Sequence, residues 1–488
     1  MRTIFTFIPA IAIAACLLAS CETYRDDFSF SKENLFDGMP YNEKYKEYEE
    51  NPFLKASEFP QSTFSIDADG ASYANARRYI HLGQRPPKAS VRTEEYVNYF
   101  TYDYPEPASG ENVSLSAELT TCPWNGEHHI MRLGIKGKTI PYNELPNSNY
   151  VFLIDVSGSM NSPDKLGILK TGFKQLVDEL NPGDRVAIVV YAGNVGVLLP
   201  STPATEGKKI KAAIDKLGAG GSTAGAAGIK TAYEIAEENF IKDGNNRIIL
   251  GTDGDFNVGI SSTDELVELI EKKRESGIYL TVLGVGGGNL NDHMMEQIAN
   301  KGNGNYEYID NVSEIQKVFI NEKSKFYTVA KDAKVQITFN PNKVESYRLI
   351  GYENRKLKDE EFEDDEKDGG EIGAGQTITA LYELVLTEDV TPERYAQFDF
   401  RYKMPKSDTS RPLSLEVNNT PVEFNMATES TRFAIAVAGF GLLMRESEYK
   451  GSLNLQMVQG MAESATTFDP HGYRKEFVKM ADAVGQIK

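Results

Sequence analysis

Along the middle of the chain the period of the apolar positions changes at regular intervals. Short apolar runs at Tyr150–Ile154, Val186–Tyr191, Arg247–Leu250 and Tyr279–Leu283 read as strands. Between and after them lie longer stretches of helical period, at Leu166–Leu180, Lys208–Leu217, Ala226–Phe240, Asp264–Glu275 and Asp292–Ala299. Strand and helix in alternation predict a mostly parallel sheet covered by helices on both faces. The central domain is thus a doubly wound, Rossmann-like α/β unit over residues 148–328.

On either side the period shortens. Val113–Leu119 and His129–Ile135 alternate before the domain; Ala333–Asn340, Tyr347–Gly351, Thr377–Leu386, Gln397–Tyr402 and Leu413–Val417 follow it. Short strands separated by turn residues predict a sandwich, built from a β-rich region over 61–147 and another over 329–430. If the two flanks share sheets, the α/β domain is an insertion whose ends lie close together. Residues 431–488 form a C-terminal helical segment. Within it Phe433–Met444 carries no charge, but its 12 residues, bounded by Arg432 and Arg445, suit a buried helix rather than a membrane span.

The first twenty residues are of another kind. Arg2 precedes an apolar run from Ile4 to Leu18 that is shorter than the ~20 residues a spanning helix needs. Residues 1–20 are therefore read as a signal peptide. Leu18-Ala19-Ser20-Cys21 resembles the bacterial lipobox, which implies cleavage before Cys21 and lipid on its thiol. Lipid chains there would hold the protein at a membrane surface in the cell envelope, the outer membrane before the inner. Glu22, Asp26 and Asp27 resemble the surface-export signals of some lipoproteins. Residues 21–60, rich in Tyr, Glu, Lys and Asn and without sustained period, read as a tether. With Cys16 removed and Cys21 lipidated, Cys122 has no intrachain partner. Loss of Arg2 moves the net charge from −19 to −20, which argues against nucleic acid and anionic lipid headgroups as direct partners.

Candidate chemistry gathers at the strand ends. Tyr150–Ile154 closes on Asp155-Val156-Ser157-Gly158-Ser159, so one carboxylate and two hydroxyls can converge where the strand gives way to a loop. Oxygen ligands of this type suit Mg²⁺ first and Mn²⁺ or Ca²⁺ next, rather than zinc. In a doubly wound sheet ligands bind outside the carboxyl ends of the strands. Two more loops belong there. Gly218-Ala219-Gly220-Gly221-Ser222-Thr223-Ala224 offers the Thr223 hydroxyl, and Gly251-Thr252-Asp253-Gly254 places Asp253 at a strand end like that of Asp155.

These three loops, in this order and in a strand-helix frame of about 180 residues, resemble those of a von Willebrand factor type A (VWA) domain with its metal-ion-dependent adhesion site. That resemblance implies that Ser157, Ser159 and Thr223 ligate the metal, and that Asp155 and Asp253 bind it directly or through water. It also implies capture of a partner's Asp or Glu by the metal. Asp255 and Asn257 are candidates for orienting bound water. Thr63–Ala74 and Arg92–Phe100 resemble the N-terminal region of bacterial VWA lipoproteins, and the part from about 330 is similar to the domain of unknown function that accompanies them.

Other chemistry is poorly supported. No Gly-x-Ser-x-Gly elbow surrounds Ser157 or Ser159, and Asn289 stands where the run Gly284–Gly288 would need a third fingerprint glycine for a dinucleotide. His128-His129 reads as a surface pair, Asp67, Asp69 and Ser72 as a strand leading into a capped helix, and the acidic stretch Glu360–Glu371 as a solvated loop. The expectation is a membrane-anchored protein-binding module, not an enzyme, that uses no nucleotide. The alternative is an accessory or scaffold subunit of a cell-envelope enzyme or chaperone complex.

Overall fold

The computed structural model describes residues 42–66, 69–221, 225–254, 263–274, 276–388 and 393–487. Among the described residues the α/β domain has a sheet of six strands, in the spatial order Tyr306–Ile309, Tyr279–Val285, Asn245–Thr252, Ser148–Asp155, Arg185–Tyr191, Val195–Pro203. All neighbours run parallel except the last, where Val195–Pro203 turns back along Arg185–Tyr191 as an antiparallel edge. Every residue of the central strand Ser148–Asp155 is buried. Val151 and Leu153 belong to one core, Tyr150, Phe152 and Ile154 to the other. Alternation is invisible in such a strand because both of its faces are covered.

The chain leaves the central strand for Arg185–Tyr191 on one side and returns to Asn245–Thr252 on the other. Asp155 therefore ends the strand at which the connections diverge, the place where open α/β sheets form their crevice.

The flanks do share sheets. In the first, the order is Leu54–Lys55, Val344–Ile350, Thr377–Leu386, His128–Gly137, Val113–Thr121, so two adjacent strands from after the domain lie between strands from before it in one antiparallel array. In the second, Gln61–Ser65 pairs with Thr328–Phe339, which is followed by Ala396–Lys403 and Ser410–Val417. The α/β domain is an insertion, and its ends meet: Ser148 Oγ lies 2.7 Å from Tyr327 Oη. Helices Glu429–Met444, Leu455–Glu463 and Tyr473–Val484 complete the body. The first of these is buried along nearly its whole length and packs on the short helix Thr93–Asn98. Among the described residues no helix is long and apolar enough to cross a membrane.

Several expectations need correction. Residues 42–60, expected as the distal part of a tether, are fixed to the body by polar anchors and a short strand. Asn51 Nδ2 donates to the carbonyls of Leu349 and Gly351 at 3.0 and 2.8 Å, and Leu54–Lys55 pairs with Tyr347 and Ser346. His128 is half-buried, with Nδ1 2.6 Å from Glu383 Oε1. The helix Ala71–His81 has Gly70 at its N-cap and no side-chain cap. Asp69 Oδ1 instead accepts from the Tyr306 N–H at 3.0 Å, and Ser72 Oγ donates to the Ser90 carbonyl. The acidic stretch Glu360–Glu371 pairs with neighbouring cations, Asp368 with Arg274, Asp365 with Arg401 and Glu361 with Lys367. Asp67, Asp255, Asn257, Cys21 and the signal peptide lie outside the described residues.

One buried charge joins three parts of the chain. Arg77, on helix Ala71–His81, is 1% exposed. Its Nε and Nη2 donate to Asp310 at 2.8 and 2.7 Å, Nη2 to Glu314 at 2.6 Å, and Nη1 to Tyr99 Oη and Glu476 at 2.9 and 3.0 Å. Asp310 and Glu314 end the α/β domain, and Glu476 lies on the C-terminal helix Tyr473–Val484.

Candidate metal centre

The first loop folds back on its own carboxylate. Asp155 is fully buried; its Oδ1 accepts from the Ser157 N–H at 2.8 Å and its Oδ2 from Thr252 Oγ1 at 3.1 Å. Ser157 Oγ and Ser159 Oγ are 3.0 Å apart, with Ser157 buried and Ser159 exposed. The cluster thus has a dry floor and a hydroxyl at its mouth. The second loop docks directly on the first: the Gly220 N–H donates to the Val156 carbonyl at 2.7 Å, and the Gly158 N–H to that of Gly221 at 3.2 Å. Thr223, two residues beyond Gly221, lies outside the described residues.

Asp253, also fully buried, is gripped from behind. Lys165 Nζ donates to its Oδ2 at 3.0 Å and Asn289 Nδ2 to the same oxygen at 3.1 Å, while Lys165 Nζ also donates to Asn289 Oδ1 at 2.8 Å. Thr252 Oγ1 accepts from the Gly254 N–H at 3.0 Å, which ties the third loop to Asp155.

The two carboxylates are pushed apart electrostatically. Burial raises the Asp155 pKa to about 6, against the hydrogen bonds from Ser157, and the nearby charge of Asp253 adds to the rise. For Asp253 burial also acts upward, but the Lys165 ammonium and the hydrogen bonds from Asn289 and Ser159 outweigh it and hold the carboxyl below its usual value. The buried Tyr191 phenol, on the neighbouring strand, is driven well up by burial and by Asp155.

The donor set fits a hard divalent cation. The structure places Asp155, Ser157, Ser159 and Asp253, all oxygen donors, close together. The described residues hold no group of three or more His, Cys, Asp or Glu side chains able to grip a metal, so hydroxyls would have to complete a shell. Lys165, Asn289 and Thr252 did not emerge from the sequence. Thr252 sat beside Asp253 and could have been found; Lys165 and Asn289 reach Asp253 only through the fold.

Comparison with known proteins agrees with the architecture. Residues 149–321 match the von Willebrand factor type A domain, residues 39–132 a family described as von Willebrand factor, and residues 324–487 the C-terminal region of the uncharacterized protein YfbK. The YfbK protein of Escherichia coli (strain K12) is 43% identical over 477 residues, covering 92% of this chain and 82% of its own. The chain belongs to the YfbK family. Similarity to other relatives is partial: a UPF0353 protein of Mycolicibacterium vanbaalenii is 27% identical over 212 residues, covering 38% of this chain and 63% of its own. Among solved structures, the hypothetical protein BatB from Bacteroides thetaiotaomicron is 27% identical and covers 37% of this chain and 98% of its own, with a TM-score of 0.31. A von Willebrand factor type A protein from Catenulispora acidiphila covers 77% of this chain and 90% of its own at 15% identity, with a TM-score of 0.45.

Proposed function

We propose that this YfbK-family chain is a lipid-anchored protein-binding module of the bacterial cell envelope. It captures an acidic side chain of a partner through Mg²⁺ held by Asp155, Ser157, Ser159, Thr223 and Asp253, with the anchor at Cys21. One observation carries the reading: two fully buried carboxylates and a pair of serine hydroxyls gather at the ends of the central strand and its parallel neighbour Asn245–Thr252, at the switch point of the sheet. A divalent cation bound there supplies an electrophilic position that an incoming carboxylate can fill.

The residues around the site favour an anionic guest. Asp155 and Asp253 contribute two negative charges and Lys165 returns one positive, so a dication is under-neutralised by one charge. Exposed Ser159 marks the open side, opposite the buried Asp155 and Asp253. Lys165→Met is expected to tighten Mg²⁺ binding and weaken partner capture, each by an electrostatic term on the order of 1 kcal/mol. Calorimetric titration checks the first effect. Movement of both affinities in the same direction would contradict the charge balance.

The test of the proposal is capture from native envelope membranes, using the full chain as bait in Mg²⁺ or in chelator. A partner retained in Mg²⁺, released by chelator and lost with folded Asp155→Ala and Thr223→Ala variants supports it. Equal retention by those variants refutes it. A chelator-resistant complex with an ATPase or another enzyme assigns the chain to an accessory subunit instead.

A further inference from the structure

The glycine run that failed as a nucleotide loop has another use. Residues 286–291 join strand Tyr279–Val285 to helix Asp292–Lys301. Gly286 and Gly288 have φ of +67° and +90°, in the left-handed region that side chains disfavour. A Cβ on Gly286 would lie 2.4 Å from Lys165 Cε, and one on Gly287 would lie 2.0 Å from Arg78 Nη1. The glycines make room for two cations.

On its outer side this loop receives residues 42–45. The Asn42 N–H donates to the Gly288 carbonyl and the Lys44 N–H to that of Leu290, both at 2.8 Å, and the Gly288 N–H donates to Glu43 Oε1 at 2.7 Å. Lys44 and Asn291 form a parallel bridge. The Glu43 side chain is 2% exposed and accepts from Arg78 at 2.9 and 3.0 Å and from the Tyr45 and Tyr79 hydroxyls at 2.5 Å. Asn75 Nδ2 donates to Tyr45 Oη at 2.8 Å, so helix Ala71–His81 also holds this segment.

The inner side of the same loop faces the metal centre. Asn289 holds Asp253 Oδ2 and accepts from Lys165. A Cβ on Gly254 would lie 2.8 Å from the Asn291 nitrogen. One short loop is thus bonded to the N-terminal segment on one face and to a site carboxylate on the other.

We propose that residues 42–45 are a clasp that fixes loop 286–291, and through Asn289 fixes Asp253, so that the cation affinity of the site depends on the segment being docked. Glu43 and Asn289 are positioning residues. Glu43 follows Cys21 by 22 positions, so on the proposed anchored topology the clasp is the described segment nearest the anchor in sequence. The affinity clause rests on the metal reading given above; the positioning of the loop does not.

The experiment is a double-mutant cycle in the full chain, with Glu43→Ala, Asn289→Ala and their combination, and Glu43→Gln as the version that keeps side-chain shape. Mn²⁺ is the probe, followed by equilibrium titration, and amide hydrogen exchange reads the loop without metal. Glu43→Ala is expected to speed exchange of residues 286–291 at least tenfold and to weaken Mn²⁺ binding about tenfold, with Glu43→Gln acting in the same direction. In the Asn289→Ala background Glu43→Ala should weaken Mn²⁺ no further. Unchanged exchange overturns the clasp; faster exchange with unchanged affinity, or additive losses in the double variant, overturns the route through Asn289. Absence of Mn²⁺ binding by the unaltered chain refutes the metal reading and the affinity clause together, while exchange still decides whether the clasp orders the loop.

Discussion

Arg77→Met is expected to destabilise the protein by about 3–5 kcal/mol, the cost of removing one partner from a buried ionic cluster. Methionine fills much of the space but leaves Asp310 and Glu314 without the guanidinium that contacts both within 2.8 Å. Burial already drives the Glu314 carboxyl up, with Arg77 the largest force against that rise. Arg77→Lys should recover little, because an ammonium cannot reproduce the fork that serves Asp310, Glu314, Glu476 and Tyr99 together. Urea midpoints measure the loss. The exposed pair Lys174–Asp215 provides the control, since Lys174→Met there should change stability by less than about 0.5 kcal/mol. A loss below about 1 kcal/mol for Arg77→Met would mean that this cluster does not hold the three parts of the chain together.

Asp155→Ala is expected to abolish the stabilisation that Mg²⁺ confers. A cation that binds only the folded chain raises the unfolding free energy by about 2.7 kcal/mol at a hundredfold excess over its dissociation constant. Removing a residue that only orients a ligand costs roughly 10–100-fold in metal affinity, so removing the carboxylate at the floor should cost at least about 100-fold. Thermal unfolding with and without Mg²⁺ reads the difference. The metal-free variant loses hydrogen bonds from Ser157 and Thr252 but also sheds a buried charge beside Asp253, so its own stability should change little. An undiminished Mg²⁺ shift in Asp155→Ala would place the cation elsewhere.

How much of this could be read in the sequence follows from the range of each interaction. The strands of the central sheet were legible because burial on both faces leaves runs such as Val151–Ile154 without a polar residue. Asp155, Ser157 and Ser159 were legible because covalent spacing alone brings them together. Both edge strands were missed: Val195–Pro203, where exposed Val197 and Pro200 blur the alternation, and Tyr306–Ile309, which is only 4 residues long. Residues 42–60 looked like a tether because they are polar, yet a few anchors such as Glu43 and Asn51 hold them without any apolar period. Nothing local singles out Arg77 or Lys165. Their carboxylate partners lie 88 to 399 positions away, and no local pattern carries that information.

The most direct test of the metal centre is a count of Mn²⁺ ions bound by the full chain, read from the paramagnetic resonance of free Mn²⁺ during titration. One saturable site, displaced by excess Mg²⁺ and lost in both Asp155→Ala and Thr223→Ala, is the predicted result. No saturable site in the unaltered chain, or a site that survives in both variants, would contradict it.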